Sequence, residues 1–290
     1  MKPAPFDYYA PTSVVDAVAL LSELQDEAKV LAGGQSLVPL LALRLTVVGH
    51  LVDLNRVDGL HEIDHRPGSV VVGAMVRHST LADDDKLRSS VPLLARAAPY
   101  IGHFQIRNRG TLGGSLAHAD PAAELPAVAV ALNATVNVRA DRGPRHVPAT
   151  EFFSSIFTTT LGADEIIESV EFPVWSGRTG FSVQELARRA GDFAIAGVAC
   201  GVRLDDDGKV DQAALGLFGM GPTPLQPAAA LQAVLACRPD ELDVREIGSL
   251  AVHDLDPPDD IHASGAVRRR VGAVLVARAL TEAVSEAARA

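Results

Sequence analysis

Cysteine is scarce in this 290-residue chain: Cys200 and Cys237 stand far apart and belong to no C-x-x-C or Cys/His cluster. No zinc or iron-sulfur site is therefore encoded, and reduced, buried thiols are the simple reading. Aromatic residues are sparse at 4%, and positive charge is in deficit, with 26 Lys+Arg against 36 Asp+Glu for a net charge of −10. Such a chain repels a nucleic-acid backbone or an anionic membrane at long range. No apolar run reaches the roughly 18 to 20 residues a membrane span needs. The opening MKPAPFDYYAP has one lysine, three prolines and no apolar core, unlike a secretory signal, so the cytoplasm is the expected address. The chain contains no G-x-x-x-x-G-K-[ST], which disfavours a P-loop, and no metal centre is expected.

What is present is ordinary globular material. Hydrophobic residues make up 48% and charged residues 21%, enough for one large domain or two to three compact ones. Thr12 and Ser13 precede Val14, Ala17, Val18, Leu21 and Leu24, the spacing of one helix face with Ser13 as its cap. A strand at 29–32 stops at Gly33-Gly34, a helix is expected over 37–45, and a strand over 51–54. Further on, 70–72 reads as a strand and 91–101 as a helix with Pro92 in its first turn. Asp120 as cap and Pro121 at the first position predict a helix through 125–132, followed by strands at 134–139 and 166–172. The segment 175–180 looks like a linker. Beyond it, strands at 181–187, 198–204 and 210–218 surround an Asp207-Gly208 hairpin turn, and three helices fill 227–236, 241–253 and 266–288.

The two glycine turns carry the chemistry. Ala32-Gly33-Gly34-Gln35-Ser36 leaves a strand and enters a helical stretch, where free backbone N–H groups and the helix dipole favour an anion. Thr111-Leu112-Gly113-Gly114-Ser115 repeats that grammar about 80 residues later, with a helix shortly downstream. A lone double glycine is usually a plain turn. Two of them, each with its own strand and helix, can grip a two-phosphate ligand from both sides, and neither fits G-x-G-x-x-G.

The turn AGGQS, the segment IRNRGTLGGSLAHADPAAELPA at 106–127 and the segment ARRAGDFAIAGVA at 187–199 resemble the FAD-binding medium subunit of molybdenum hydroxylases. That family includes carbon monoxide dehydrogenase, bacterial nicotine and caffeine dehydrogenases and the middle domain of xanthine dehydrogenase. The resemblance implies an α+β chain: a two-subdomain PCMH/VAO-type FAD-binding domain, units 1–57 and 58–176, then a C-terminal domain, 177–290, of antiparallel sheet and helical bundle. It implies that Ala32, Gly33, Gly34, Gln35, Ser36 and Leu37, with Thr111, Gly113, Gly114 and Ser115, hold the FAD diphosphate. Ile101 would line the adenine side, and Glu124, with Asp120 as competitor, would accept bonds from a ribose as an ionised carboxylate. Ile166 and Ile167 would supply apolar contacts near the ring system, and Phe193 would lie against the isoalloxazine.

Two positions depart from the family pattern. Gln35 stands where relatives often carry His or Asn, and Glu185 stands where many carry a lysine near the flavin. Losing that cation implies a flavin harder to reduce. The resemblance further implies a large molybdopterin-binding subunit, a small subunit with two 2Fe-2S clusters, a dimer of heterotrimers and an external electron acceptor. This chain would then be an electron relay with no catalytic residue and no metal of its own, the substrate being set in the molybdenum subunit. A flavin-free structural or assembly subunit and a stand-alone FAD oxidoreductase are the alternatives. Among other groups, His118 and Asp120 resemble an acid-base pair, but holding the turn is the simpler role. Arg107 and Arg109 either reach phosphate or pair with acidic residues.

Overall fold

The computed structural model describes residues 2–290, so Met1 of the first expected unit lies outside the described residues. The Ser13 hydroxyl accepts from the Asp16 N–H at 3.1 Å and starts the helix Val14–Leu24, whose Ala17, Val18 and Leu21 bury against Val52, Leu54 and Val57. Strands Ala28–Leu31 and His50–Asp53 run parallel, and Asp7–Tyr9 pairs along the other side of His50–Asp53. Parallel neighbours need a crossover, which the helix Leu37–Ala42 supplies. The first glycine turn thus sits at the carboxyl end of a parallel sheet, where such units take their ligands. The crossover helix is shorter than its apolar run. Arg44 adopts a left-handed φ of 56° and the Leu45 N–H turns back to the Leu40 carbonyl.

A second sheet has five antiparallel strands in the order Ile63–Arg66, Ser69–Gly73, Ile166–Pro173, Thr135–Ala140 and Gly143–Pro148. Its Val70, Val72, Val136, Val170 and Phe172 bury against Leu112, Leu116, Leu125 and Val128 of the helices Leu112–His118 and Glu124–Ala131. The helix expected over 91–101 is Pro92–Ala97 followed by a 3-10 turn, Ala98–Tyr100, because Pro99 has no N–H to continue the ladder. Asp120 is not a helix cap: its Oδ1 accepts from the Ala122 N–H at 2.9 Å in a separate turn, and the helix starts at Glu124 with Ala123 preceding it.

The last three strands, Arg178–Leu186, Ala196–Leu204 and Val210–Phe218, form an antiparallel sheet. The helices Ala228–Val234, Val244–Val252 and Gly265–Arg289 accompany it, and Val276, Ala279, Leu280 and Ala283 of the last bury against Val198, Cys200 and Val202. Cys200 is buried and Cys237 half-buried, both as free thiols. This sheet meets the rest of the chain at the helix Glu124–Ala131, where a Cβ on Gly216 would overlap the Ala127 carbonyl. Arg96 locks the same joint with a two-pronged pair to Glu286, at 2.7 and 2.6 Å, and a bond to the Phe181 carbonyl.

Candidate cofactor site at the two glycine turns

At the end of strand Ala28–Leu31, Gly34 takes a φ of 74°, a conformation that a side chain would penalise. The backbone N–H groups of Gly33, Gly34, Gln35 and Ser36 have no hydrogen-bond partner among the described residues. Gly33 is buried, Gly34 and Ser36 half-buried and Gln35 exposed, and a run of such free N–H groups is a nest for an anion. The Gln35 Nε2 donates to the Gly33 carbonyl at 3.2 Å, engaging the turn's own acceptor and leaving donors in the majority. Ser36 precedes the helix Leu37–Ala42 without bonding its hydroxyl to that helix. Leu31, Gly33, Gly34, Val38 and Arg109 line a cavity of about 310 Å³ beside this turn. A cavity of about 440 Å³ near Arg96, Phe181 and Glu282 holds none of the residues singled out from sequence.

The second turn is built differently. Thr111 caps the helix Leu112–His118, so Gly113, Gly114 and Ser115 lie inside its first turns rather than upstream of it. Its N–H groups are already used: Leu112 donates to Val76 at 3.1 Å, Gly113 to Ala74 at 2.8 Å and Ser115 to Thr111 at 3.0 Å. Gly114 N–H donates to the Thr111 hydroxyl at 3.1 Å. What this turn offers is a bare surface. A Cβ on Gly114 would lie 3.2 Å from the Ala32 Cβ and 4.0 Å from the Gly33 nitrogen, and one on Gly33 would overlap the Arg109 carbonyl. The two turns therefore approach each other closely, and only glycine fits at Gly33 and Gly114 without displacing a neighbour.

Three residues at this junction were not singled out from sequence. The Asn55 Nδ2 donates to the Ala32 carbonyl at 2.9 Å, and Arg77 donates from Nη2 to the Asn55 Oδ1 at 2.6 Å and from Nη1 to the Arg109 carbonyl. His78 is buried, its backbone N–H donating to the Gly110 carbonyl at 3.0 Å and its Nε2 to the Thr111 carbonyl at 2.9 Å. Its Nδ1 is buried without a partner, and burial lowers its pKa to about 4, so the ring is neutral at pH 7. No local pattern marks these residues; they become neighbours only when the two sheets dock. Arg107 is spent on the Ile101 and Gly102 carbonyls at 3.0 and 2.8 Å, whereas Arg109 borders the first turn.

Of the outer residues, Glu124 and Glu185 lie near each other where the C-terminal sheet meets the helix Glu124–Ala131. Burial pushes the Glu124 carboxyl up to about 8, with Glu185 and Asp120 adding to the shift. At neutral pH it holds its proton and can donate as well as accept, unlike the ionised acceptor expected from sequence. Burial pushes Glu185 up to about 7, and its Oε2 is buried without a partner. Ile101 packs half-buried against the main core, beside the Arg107-held carbonyls. Ile166 and Ile167 are core residues at 2% and 5% exposure, with little surface left for a ligand. Phe193 is 71% exposed on the loop between the strands Arg178–Leu186 and Ala196–Leu204. His118 packs against Phe157 with ring centroids 5.1 Å apart. Among the described residues no cluster of His, Cys, Asp or Glu could hold a metal ion, and no helix is long and apolar enough to cross a membrane.

An anion nest at a parallel-sheet edge, faced by a second glycine surface and followed by an antiparallel sheet with helices, defines a cofactor-binding α+β protein. Its family follows from comparison with known proteins. The family described as the FAD binding domain in molybdopterin dehydrogenase matches residues 4–175, and the CO dehydrogenase flavoprotein C-terminal domain matches 181–283. The chain belongs to this family of molybdopterin-dehydrogenase flavoproteins. It is 40% identical to the 6-hydroxypseudooxynicotine dehydrogenase complex subunit alpha of Paenarthrobacter nicotinovorans, over 99% of this chain and 97% of the relative. It is 36% identical to the caffeine dehydrogenase subunit beta of Pseudomonas sp. strain CBB1, over 98% of this chain and 96% of the relative. In structure it is similar to carbon monoxide dehydrogenase from Hydrogenophaga pseudoflava, with a TM-score of 0.94, 36% identity and 99% coverage of both chains.

Proposed function

We propose that this chain is the medium, FAD-carrying subunit of a cytoplasmic molybdopterin-dependent hydroxylase or dehydrogenase. A large molybdopterin-binding subunit and a small 2Fe-2S subunit accompany it, two such heterotrimers pair, and an external acceptor takes the electrons. Its relatives' names as dehydrogenase subunits support the reading. The observation that carries it is the row of unpartnered N–H groups from Gly33 to Ser36, set against the Cβ-free surface of Gly114, with Gly113 packed behind it on Ala74. Units 1–57 and 58–176 each contribute one turn, and unit 177–290 closes the outer side.

Within this chain the work is binding, orientation and charge placement. The Gly33 to Ser36 N–H groups and the Ser36 hydroxyl hold the diphosphate, with Leu37 at the start of the helix behind them. Gly113, Gly114 and the Thr111 and Ser115 side chains form the opposite wall. Ile101 flanks the adenine, and the Glu124 carboxyl, in competition with Asp120, meets ribose hydroxyls. Ile166 and Ile167 back the ring pocket, while Glu185 and Phe193 come from the C-terminal unit. Held there, FAD would supply one-electron acceptance and two-electron release, the chemistry a relay needs. A relay of this kind needs no general base from the chain. Titrating FAD into the purified chain tests the reading: after unbound FAD is removed, wild type remains yellow with FAD bound, and Gly34→Val and Gly114→Val do not. Full flavin retention in both variants would overturn it.

A further inference from the structure

We infer that Asn55 and Arg77 are positioning residues that set the separation of the two glycine turns, so that FAD affinity depends on a strap that does not itself touch the diphosphate. The inference rests on the reading that the diphosphate lies between those turns. The first turn follows a strand of the parallel sheet and the second opens the helix Leu112–His118, and among the described residues no hydrogen bond joins them directly; they approach through Gly33 against the Arg109–Gly110 backbone and Gly114 against Ala32. Hydrogen-bonded continuity runs only through side chains. The Ala32 carbonyl accepts from Asn55, Asn55 accepts from Arg77, and the Arg109 carbonyl accepts from Arg77.

Each end of the strap is itself held. The Asn55 N–H donates to the Asp53 Oδ1 at 2.8 Å, and the Tyr8 hydroxyl donates to the Asp53 Oδ2 at 2.5 Å, tying the strap into the parallel sheet. Asp53 is buried, so this anchor is shielded from water. At the other end, Arg77 forms an antiparallel bridge with Thr111, and His78 next to it bonds the Gly110 and Thr111 carbonyls. The partners fix the Asn55 amide in one orientation, because its nitrogen faces two acceptors and its oxygen faces the guanidinium. A forked guanidinium donates to the two acceptors from two separate nitrogens, whereas an ammonium offers its donors from a single nitrogen on a shorter reach. The arrangement spends Arg77 on protein oxygens, which separates a geometric role from simple charge attraction to phosphate.

The test is FAD titration of the full chain stripped of its flavin, followed by flavin fluorescence and by visible circular dichroism of the bound ring, with the unfolding midpoint of each apo variant recorded alongside. Arg77→Lys and Asn55→Ala are each expected to weaken FAD binding roughly tenfold to a hundredfold and to alter the dichroism of the bound flavin. The double variant is expected to lose no more than the worse single one, because the two act as a unit. If Arg77→Lys keeps wild-type affinity, charge alone suffices and the strap is refuted; additive losses refute it equally. Should Asn55→Ala not fold, Arg77→Lys alone decides. Gly34→Val separates the two levels: if it keeps FAD, the two-turn reading falls, whereas loss of FAD there with retention in Arg77→Lys removes the strap only.

Discussion

The two glycine turns read alike as strings and differ as structures. The first leaves its N–H groups from Gly33 to Ser36 unpaired and holds a glycine at positive φ, so it is organised to receive an anion. The second spends its N–H groups on Ala74, Val76 and Thr111, and its glycines serve close packing: a Cβ on Gly113 would lie 2.9 Å from the Ala74 carbonyl oxygen. Similar glycine pairs thus provide donors on one side and a smooth wall on the other. Satisfied polar groups make the wall rigid, while the unsatisfied ones opposite it are free to donate to a ligand.

The sharpest way to break this comparison is a methyl group on each side. Gly33→Ala sets a Cβ against the Arg109 backbone carbonyl, which cannot move without parting the turns. It should cost more than about 2 kcal/mol of stability and abolish FAD binding. Gly114→Ala meets the Thr111 hydroxyl at 2.7 Å, which can shift only at the cost of its cap bond to the Gly114 N–H, so thermal melts and FAD titration should show a smaller loss of the order of one cap bond.

Acid should distinguish the turns next. The His78 pKa falls from 6.5 unfolded to about 4 folded, so the unfolded chain binds more protons between those values. Stability is whole above about pH 6.5 and drops by on the order of 3 kcal/mol as pH falls to 4. His78→Gln should flatten that slope in urea melts. Hydrogen exchange at Leu112 and Gly113 should accelerate in acid before exchange in the parallel sheet does; simultaneous acceleration would count against a separate second wall.

On the flavin side, Glu185→Lys should raise the reduction potential, and the gap from wild type should widen as pH rises through about 7, where Glu185 ionises. Potentiometry below and above that pH reads it, and a lower potential in the variant would refute the placement of Glu185 near the ring. The smallest contrast concerns hydroxyls. Thr111→Ala removes a helix cap and should cost about 1 kcal/mol of stability, whereas Ser36→Ala removes no cap bond and should weaken FAD binding with little change in melting temperature.

Much of this could be read from residues alone. The helix at 14–24, its Ser13 cap, the alternating strand Thr135–Ala140 and the long C-terminal helix all follow from local periodicity that tertiary contacts reinforce. Strand Asp7–Tyr9 was not legible, since three residues with an exposed Tyr8 have no pattern until His50–Asp53 pairs with them. The cap role given to Asp120 failed because an aspartate before proline also makes a tight local turn, and that bond won. The ionised state expected of Glu124 depended on solvation that the sequence does not display.

By itself the sequence determined which segments are helix or strand, where glycine permits close approach, and the family to which three separate strings belong, because propensity, spacing and the lack of a Cβ are local properties. Only the tertiary structure decided which turn keeps its N–H groups free, that Asn55 and Arg77 join the two sheets, and that Glu124 and Glu185 resist ionisation. Those outcomes depend on which backbone oxygens arrive beside which donors and on how much water is excluded, and distance along the chain encodes neither.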